Sequence, residues 1–161
     1  MKRLVLALVL AGLAAVAAAP AALGCGMRIP VYDSQTTLSV VSPGVTTQNG
    51  TVTSIRRLVQ IEADASASAF VAGTSTGVVN LDLDQATGSG KIWGTDTKRP
   101  TAYPHGHWDC RFSGKFVNYN WTAKGSCVGM GSLKGWRFTA DLVPTATGVT
   151  ATGYVFRVWH R

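Results

Sequence analysis

The sequence predicts an all-β domain, most simply a small antiparallel β-barrel, with a β-sandwich as the alternative. Three observations lead there. Past Cys25 no run of ten or more residues has helical periodicity. Short runs rich in Val, Thr and aromatic residues recur instead, broken by Gly, Asn and Pro. Gly and Thr number 18 each, while only 14% of the 161 residues are charged, well below the usual quarter. Short strands bury little by themselves, so the sheet must close on itself or stack on a second one. The length suits one domain with its own core.

In chain order, the first segment reads as an address. Met1, Lys2 and Arg3 form a short positive start, and 4–19 is an unbroken run of Leu, Val, Ala and one Gly. Pro20 and small residues follow, the pattern of a secretory signal peptide over 1–24. A membrane-spanning helix is the competing reading, but the apolar run falls short of the roughly 20 residues that spanning takes. Ala22-Leu23-Gly24-Cys25 resembles the lipobox of bacterial lipoproteins, in which the Cys becomes the acylated first residue. It departs in carrying Ala22 where Leu is usual. Ordinary signal peptidase, reading Ala22 and Gly24 as its small residues, cuts at the same place, and the residues around the cut do not separate the two. An odd number of cysteines in an exported chain favours a lipid anchor on Cys25, because Cys110 and Cys127 are then left to pair with each other. The expected location is the outer face of a bacterial membrane, with plain secretion as the alternative.

Residues 25–36 look like an extended N-terminal segment, followed by a single domain over 37–161. Within it the expected strands are 37–41, 51–62, 77–84, 90–94, 107–117, 120–128, 132–142 and 150–160. Alternation is cleanest from Val79 to Asp84. Residues 63–72 are ambiguous and leave room for a turn or two of helix. Gly88–Gly94 and Gly129–Gly135 share the spacing G-x-G-x-x-x-G, which reads as a repeated hairpin whose glycine-rich bend feeds the next strand.

The strongest local inference concerns the two late cysteines. If Phe116 pairs with Trp121 around a bend at Asn118-Tyr119, the residue numbers in every pair sum to 237, as do 110 and 127. Cys110 and Cys127 then face each other in a non-hydrogen-bonded pair, the closer class and the one best suited to a disulfide. They share a face with Phe112, Phe116, Trp121 and Ala123. Tyr is an awkward residue for a two-residue primed turn. A four-residue loop over 117–120 keeps the same register.

Several groupings resemble chemical sites. His105, His107 and Asp109 alternate onto one face, and two imidazoles with a carboxylate are a zinc ligand set with an open position. Solvent-facing polar residues opposite Trp108 and Cys110 are the plainer reading, since no spacing supplies a further ligand; His160, the remaining histidine, is far along the chain. Gly73-Thr74-Ser75-Thr76-Gly77 spells G-x-S-x-G, but a nucleophile elbow needs a strand before it and a helix after it. It reads as loop composition. Glu62/Asp64 and Asp82/Asp84, each separated by two, read as the solvated face of a strand rather than paired catalytic carboxylates. The glycine runs are not dinucleotide fingerprints, and no motif implies a cofactor. Trp108 and Trp121 belong to the bridged face; Trp93, Trp136 and Trp159 are candidates for a ligand cavity or a sugar-stacking platform, with core packing as the default for each.

With the signal segment gone, Lys2 and Arg3 go too, and the charge drops from +7 to +5. The remaining basic residues are scattered, with adjacent pairs only at Arg56-Arg57 and Lys98-Arg99. No stripe suits a nucleic acid.

Gly106-His107-Trp108, Phe112-Ser113-Gly114, Trp121 to Gly125, Gly129 to Trp136 and Thr152-Gly153-Tyr154 together resemble a group of small exported bacterial proteins without assigned function, related to allene oxide cyclase-like barrels. The likeness spans about residues 87–156 and consists of Gly and aromatic spacing. It implies a small antiparallel barrel and no activity. The expected function is a binding or structural module of the cell envelope rather than an enzyme, enclosing a small apolar ligand or touching an envelope polymer. It meets the membrane only through Cys25. A metal-dependent enzyme or metal-binding protein built on His105, His107 and Asp109 is the alternative, and a carbohydrate-binding module using exposed Trp is the second alternative.

Overall fold

The computed structural model describes residues 27–158. Nine strands follow one another: β1 (Arg28–Ser42), β2 (Val45–Asn49), β3 (Val52–Ser66), β4 (Gly73–Asp84), β5 (Ser89–Pro100), β6 (Gly106–Val117), β7 (Asn120–Gly131), β8 (Trp136–Pro144) and β9 (Gly148–Arg157). From β3 to β9 each strand pairs antiparallel with the next, and β9 pairs with β1. β1 then pairs with β3, Asp33 opposite Ser66 through Ser42 opposite Val59, and this closes an eight-stranded antiparallel barrel. β2 lies outside the ring as an extra strand on the far half of β3. The barrel reading therefore holds over the sandwich.

β1 takes in residues 28–36, which sequence pattern places in an extended lead-in; they form a stave of the wall, paired with β9 on one side. β3 runs on to Ser66, and a short turn carrying Phe70 and Val71 follows, with no helix. Gly73–Gly77 is the first half of β4 rather than a loop. The two glycine runs are not equivalent. Gly88–Gly94 leads from a bend into β5, whereas Gly129–Gly135 covers the end of β7 and the bend into β8.

Hairpin β6–β7 has the register that sums to 237 throughout, from Gly106 opposite Gly131 to Val117 opposite Asn120. Cys110 and Cys127 form a disulfide with Cα atoms 4.0 Å apart. The bend is the two-residue one: Asn118 has φ 50° and Tyr119 φ 64°. Tyrosine tolerates that conformation here because its surroundings fix it. Its N–H donates to the Gly88 carbonyl at 2.9 Å, its hydroxyl donates to the Gln85 carbonyl, and its ring lies where a Cβ on Gly88 would sit.

One end of the barrel is sealed by an apolar plug. Trp108, Val71 and Leu133 are fully buried there, and Phe70 stacks on Tyr103 at 5.1 Å and against Trp136 at 4.7 Å. The Trp108 indole N–H donates to the Phe70 carbonyl at 2.7 Å, tying the 67–72 turn across the opening. A second apolar cluster, around Ile92, Phe116 and Ala123, occupies the other end. Reducing the disulfide removes the tie across β6–β7, and the expected loss is about 3 kcal/mol for a closed loop of this length. Melting with and without reductant checks it; an unchanged Tm contradicts a structural role for the bridge.

Candidate functional site

The notable region lies between the two apolar ends, inside the ring. Each strand presents alternate residues inward, and along three neighbouring strands the inward set changes character at the same height. On β3 it runs Asp64, Glu62, Gln60 and then Leu58; on β5 it runs Lys98, Asp96, Gly94 and then Ile92; on β4 it runs Ser75, Gly77 and then Val79. β1 adds Asp33 and Gln35 from across the closure. The result is a buried polar layer backed by the plug, with an apolar compartment beyond it.

Lys98 is the centre of that layer. Its ammonium lies 2.5 Å from Asp64 Oδ1, 3.2 Å from Asp33 Oδ2 and 3.6 Å from Asp96 Oδ2. Gln35 donates to Asp64 at 3.0 Å, and Gln60 donates to Glu62 at 2.5 Å. The Ser75 hydroxyl lies 3.4 Å from Asp64 and 3.5 Å from Glu62. Three carboxyl groups thus share one cation, and Glu62 stands beside them in the same layer. Asp33 Oδ1, Asp64 Oδ2 and Asp96 Oδ1 are buried without any hydrogen-bond partner, a costly arrangement in a dry interior.

The charges respond as expected. Burial pushes the Asp33 carboxyl up to about 6, against the pull of Lys98. Burial also raises Glu62 and Asp96; Lys98 opposes both shifts, while neighbouring Asp96 adds to the one on Glu62. Burial alone would lower Lys98, but Asp64, Asp96 and Asp33 outweigh it and hold the ammonium above the ordinary lysine value.

A cavity of about 260 Å³ opens beside this layer. Its polar lining is Gln35, Thr37, Gln60, Glu62, Asp96, Lys98 and Arg111; its apolar wall includes Leu58, Val79, Ile92, Phe112, Trp121 and Leu142. The Cys110–Cys127 bridge forms part of the lining, opposite Asp96 in the register. Gly77 and Gly125 face the cavity with nothing closer than 3.7 Å to where a Cβ would stand, so they widen it without being wedged against backbone.

Several sequence expectations change here. Glu62 and Asp64 are not on a solvated face: at 5% and 4% exposure they point into the barrel. The expectation fails because alternation says which residues share a face, not which face is inside. Ser75 stands on no elbow, but it belongs to the buried layer. Asp82 is on the outer wall, as the strand pattern suggests, 2.5 Å from Arg56 and 3.4 Å from Lys91. Asp33, Gln35, Asp96 and Lys98 carried no motif in the sequence; the available signal was Asp-x-Lys and Asp-x-Gln at the two-residue spacing of a shared face.

His107 and Asp109 share the outer face of β6, 3.4 Å apart, while exposed His105 sits in the bend before that strand. Among the described residues no group of three or more His, Cys, Asp or Glu side chains is arranged to hold a metal ion. Trp121 lines the cavity and Trp108 fills the plug. Trp93 stands outside, with the Arg56 guanidinium 4.9 Å and the Lys91 ammonium 5.0 Å from its ring centre, and Trp136 packs on Phe70. Residues 1–24, which the sequence pattern reads as a signal peptide, and Cys25, Trp159 and His160 lie outside the described residues. Compared with known proteins, the chain matches no family model, no curated protein and no solved structure.

Two predictions follow from the shared cation. Lys98→Met leaves buried carboxylates uncompensated and costs about 3–5 kcal/mol of stability; a denaturant titration within about 1 kcal/mol of the unaltered protein contradicts the arrangement. The second concerns pH. Asp33 binds its proton more tightly folded than unfolded, so stability falls as pH rises from its ordinary 3.8 through about 6. Lys98 stays charged throughout this window. Melting at pH 5 therefore exceeds melting at pH 7, by roughly 1 kcal/mol from Asp33 alone, with Glu62 and Asp96 acting in the same sense. A Tm that drops between pH 7 and pH 5 contradicts it.

Proposed function

We propose that this protein is an exported module of the bacterial cell envelope that binds a small organic molecule inside its barrel, in a non-catalytic role. The observation that carries this reading is the 260 Å³ cavity, apolar on one side and polar on the other. It has room for roughly eight waters' worth of ligand. Binding sites of this kind combine an apolar body with a few convergent polar groups. Beyond cavity-lining Thr37 the chain carries Leu38, Val40, Val41 and Val45, all more than half exposed. Val40 stands opposite Gln60. Exposed apolar residues of this kind suit contact with an apolar phase.

Export rests on the positive start, the apolar run over 4–19 and the small residues before Cys25. A disulfide between Cys110 and Cys127 suits an oxidising compartment, and acylation at Cys25 accounts for the odd cysteine. The likeness in glycine and aromatic spacing to exported barrels related to allene oxide cyclase agrees with the reading. It carries no fatty-acid chemistry over to this chain.

Mass spectrometry of the protein from its own host tests the proposal, native and then denatured, without reductant. The expected result is a small organic mass present only in the native spectrum, and a diacylglycerol-sized addition on Cys25 that persists after denaturation. Gly125→Leu fills the cavity from a position with open space, so it abolishes the native-only mass while preserving the fold, checked by circular dichroism. Equal native and denatured masses, with no uptake of 1-hexanol by calorimetry, overturn the ligand-binding reading. A bare Cys25 overturns the anchor alone.

A further inference from the structure

The polar wall of the cavity says what kind of head group the ligand carries. Lys98 does not advertise for an anion: three carboxylates already surround its ammonium. Gln35 and Gln60 each direct one amide N–H to a carboxylate of the layer, to Asp64 and to Glu62. Two carboxyl groups, Asp96 and Glu62, are among the side chains that line the cavity.

Asp96 is the group that combines an unpartnered oxygen with a place in the cavity wall. It is only 9% exposed and lines the cavity, its Oδ1 has no partner, and its Oδ2 makes the longest of the three Lys98 ion pairs, at 3.6 Å. Glu62 stands in the same wall and adds a second carboxylate. A buried, unpartnered carboxylate oxygen costs free energy that a donor in the cavity recovers. A cation recovers more, since the layer holds four carboxyls against one ammonium. The opposite wall offers Ile92, Phe112, Trp121 and Leu142, which suit a hydrocarbon tail or ring and nothing charged.

We propose that the ligand is an organic amine, bound as its ammonium ion against Asp96 and Glu62 with an apolar body of roughly six to eight heavy atoms in the compartment beyond. This inference rests on the cavity-binding reading above and assigns the chemical class that reading leaves open. Lys98 then acts as a positioning residue, held most closely by Asp64 and Asp33, so that its longer pairing with Asp96 leaves that carboxylate able to take a second cation.

The test compares n-hexylamine, 1-hexanol and hexanoate at pH 7 by calorimetry on the full mature protein. These share one tail and differ in the head. The amine is expected to bind at least tenfold more tightly than the alcohol, with hexanoate weakest. Asp96→Asn and Glu62→Gln each bring the amine-to-alcohol ratio toward one; two isosteric variants guard against one failing to fold. Equal affinity for amine and alcohol, or preference for hexanoate, overturns the amine inference and leaves the cavity reading standing. A ratio unchanged in both variants overturns the role of Asp96 and Glu62. Failure of all three ligands to bind overturns the cavity reading and the inference with it.

Discussion

Everything inside this molecule depends on the pairing of β1 with β3. β1 is bonded on both sides, to β9 along residues 28–36 and to β3 along 33–42. Without the second set of bonds the sheet is an open meander, and Asp33, Gln35, Glu62 and Asp64 lie on a wet face where their charges cost little. Closure turns that face into an interior. Charges that water would have served must now be served by one another, and among the described residues Lys98 is the cation that reaches Asp33, Asp64 and Asp96.

The ledger of that layer explains the rest of the architecture. Four carboxyls and one ammonium are tolerable because glutamine and serine side chains donate to Asp64 and Glu62, and because burial raises the carboxyl pKa values. The plug of Trp108, Val71 and Leu133 closes one side of the layer. The other side is left open to a cavity widened by Gly77 and Gly125. Buried ionic groups are weak sources of stability, and well-packed apolar residues often do better. A chain that keeps five such groups beside an opening has arranged them for something other than stability, and recognition of a donor-bearing guest is the use their geometry supports.

The sequence made some of this legible. The β6–β7 register and the Cys110–Cys127 bridge followed from pair arithmetic, because a hairpin is local and one correct bend fixes every pair. The barrel followed from short strands and scattered glycine. The polar interior did not follow. Glu62-x-Asp64 has the same spacing as Asp82-x-Asp84, yet the first pair points into the barrel while Asp82 meets Arg56 and Lys91 on the outside. Only long-range closure separates them, and 28–36, which supplies Asp33 and Gln35, looks from its pattern like a lead-in rather than a wall.

The central claim is that these carboxylates are enclosed rather than solvated, and carboxyl ¹³C NMR titration of Asp33 addresses it most directly. The account predicts a midpoint near 6, with the resonance lost to that position on unfolding. A midpoint close to the ordinary aspartate value of about 4 would place Asp33 in water and contradict the buried layer, the role of Lys98 and the amine site built on both.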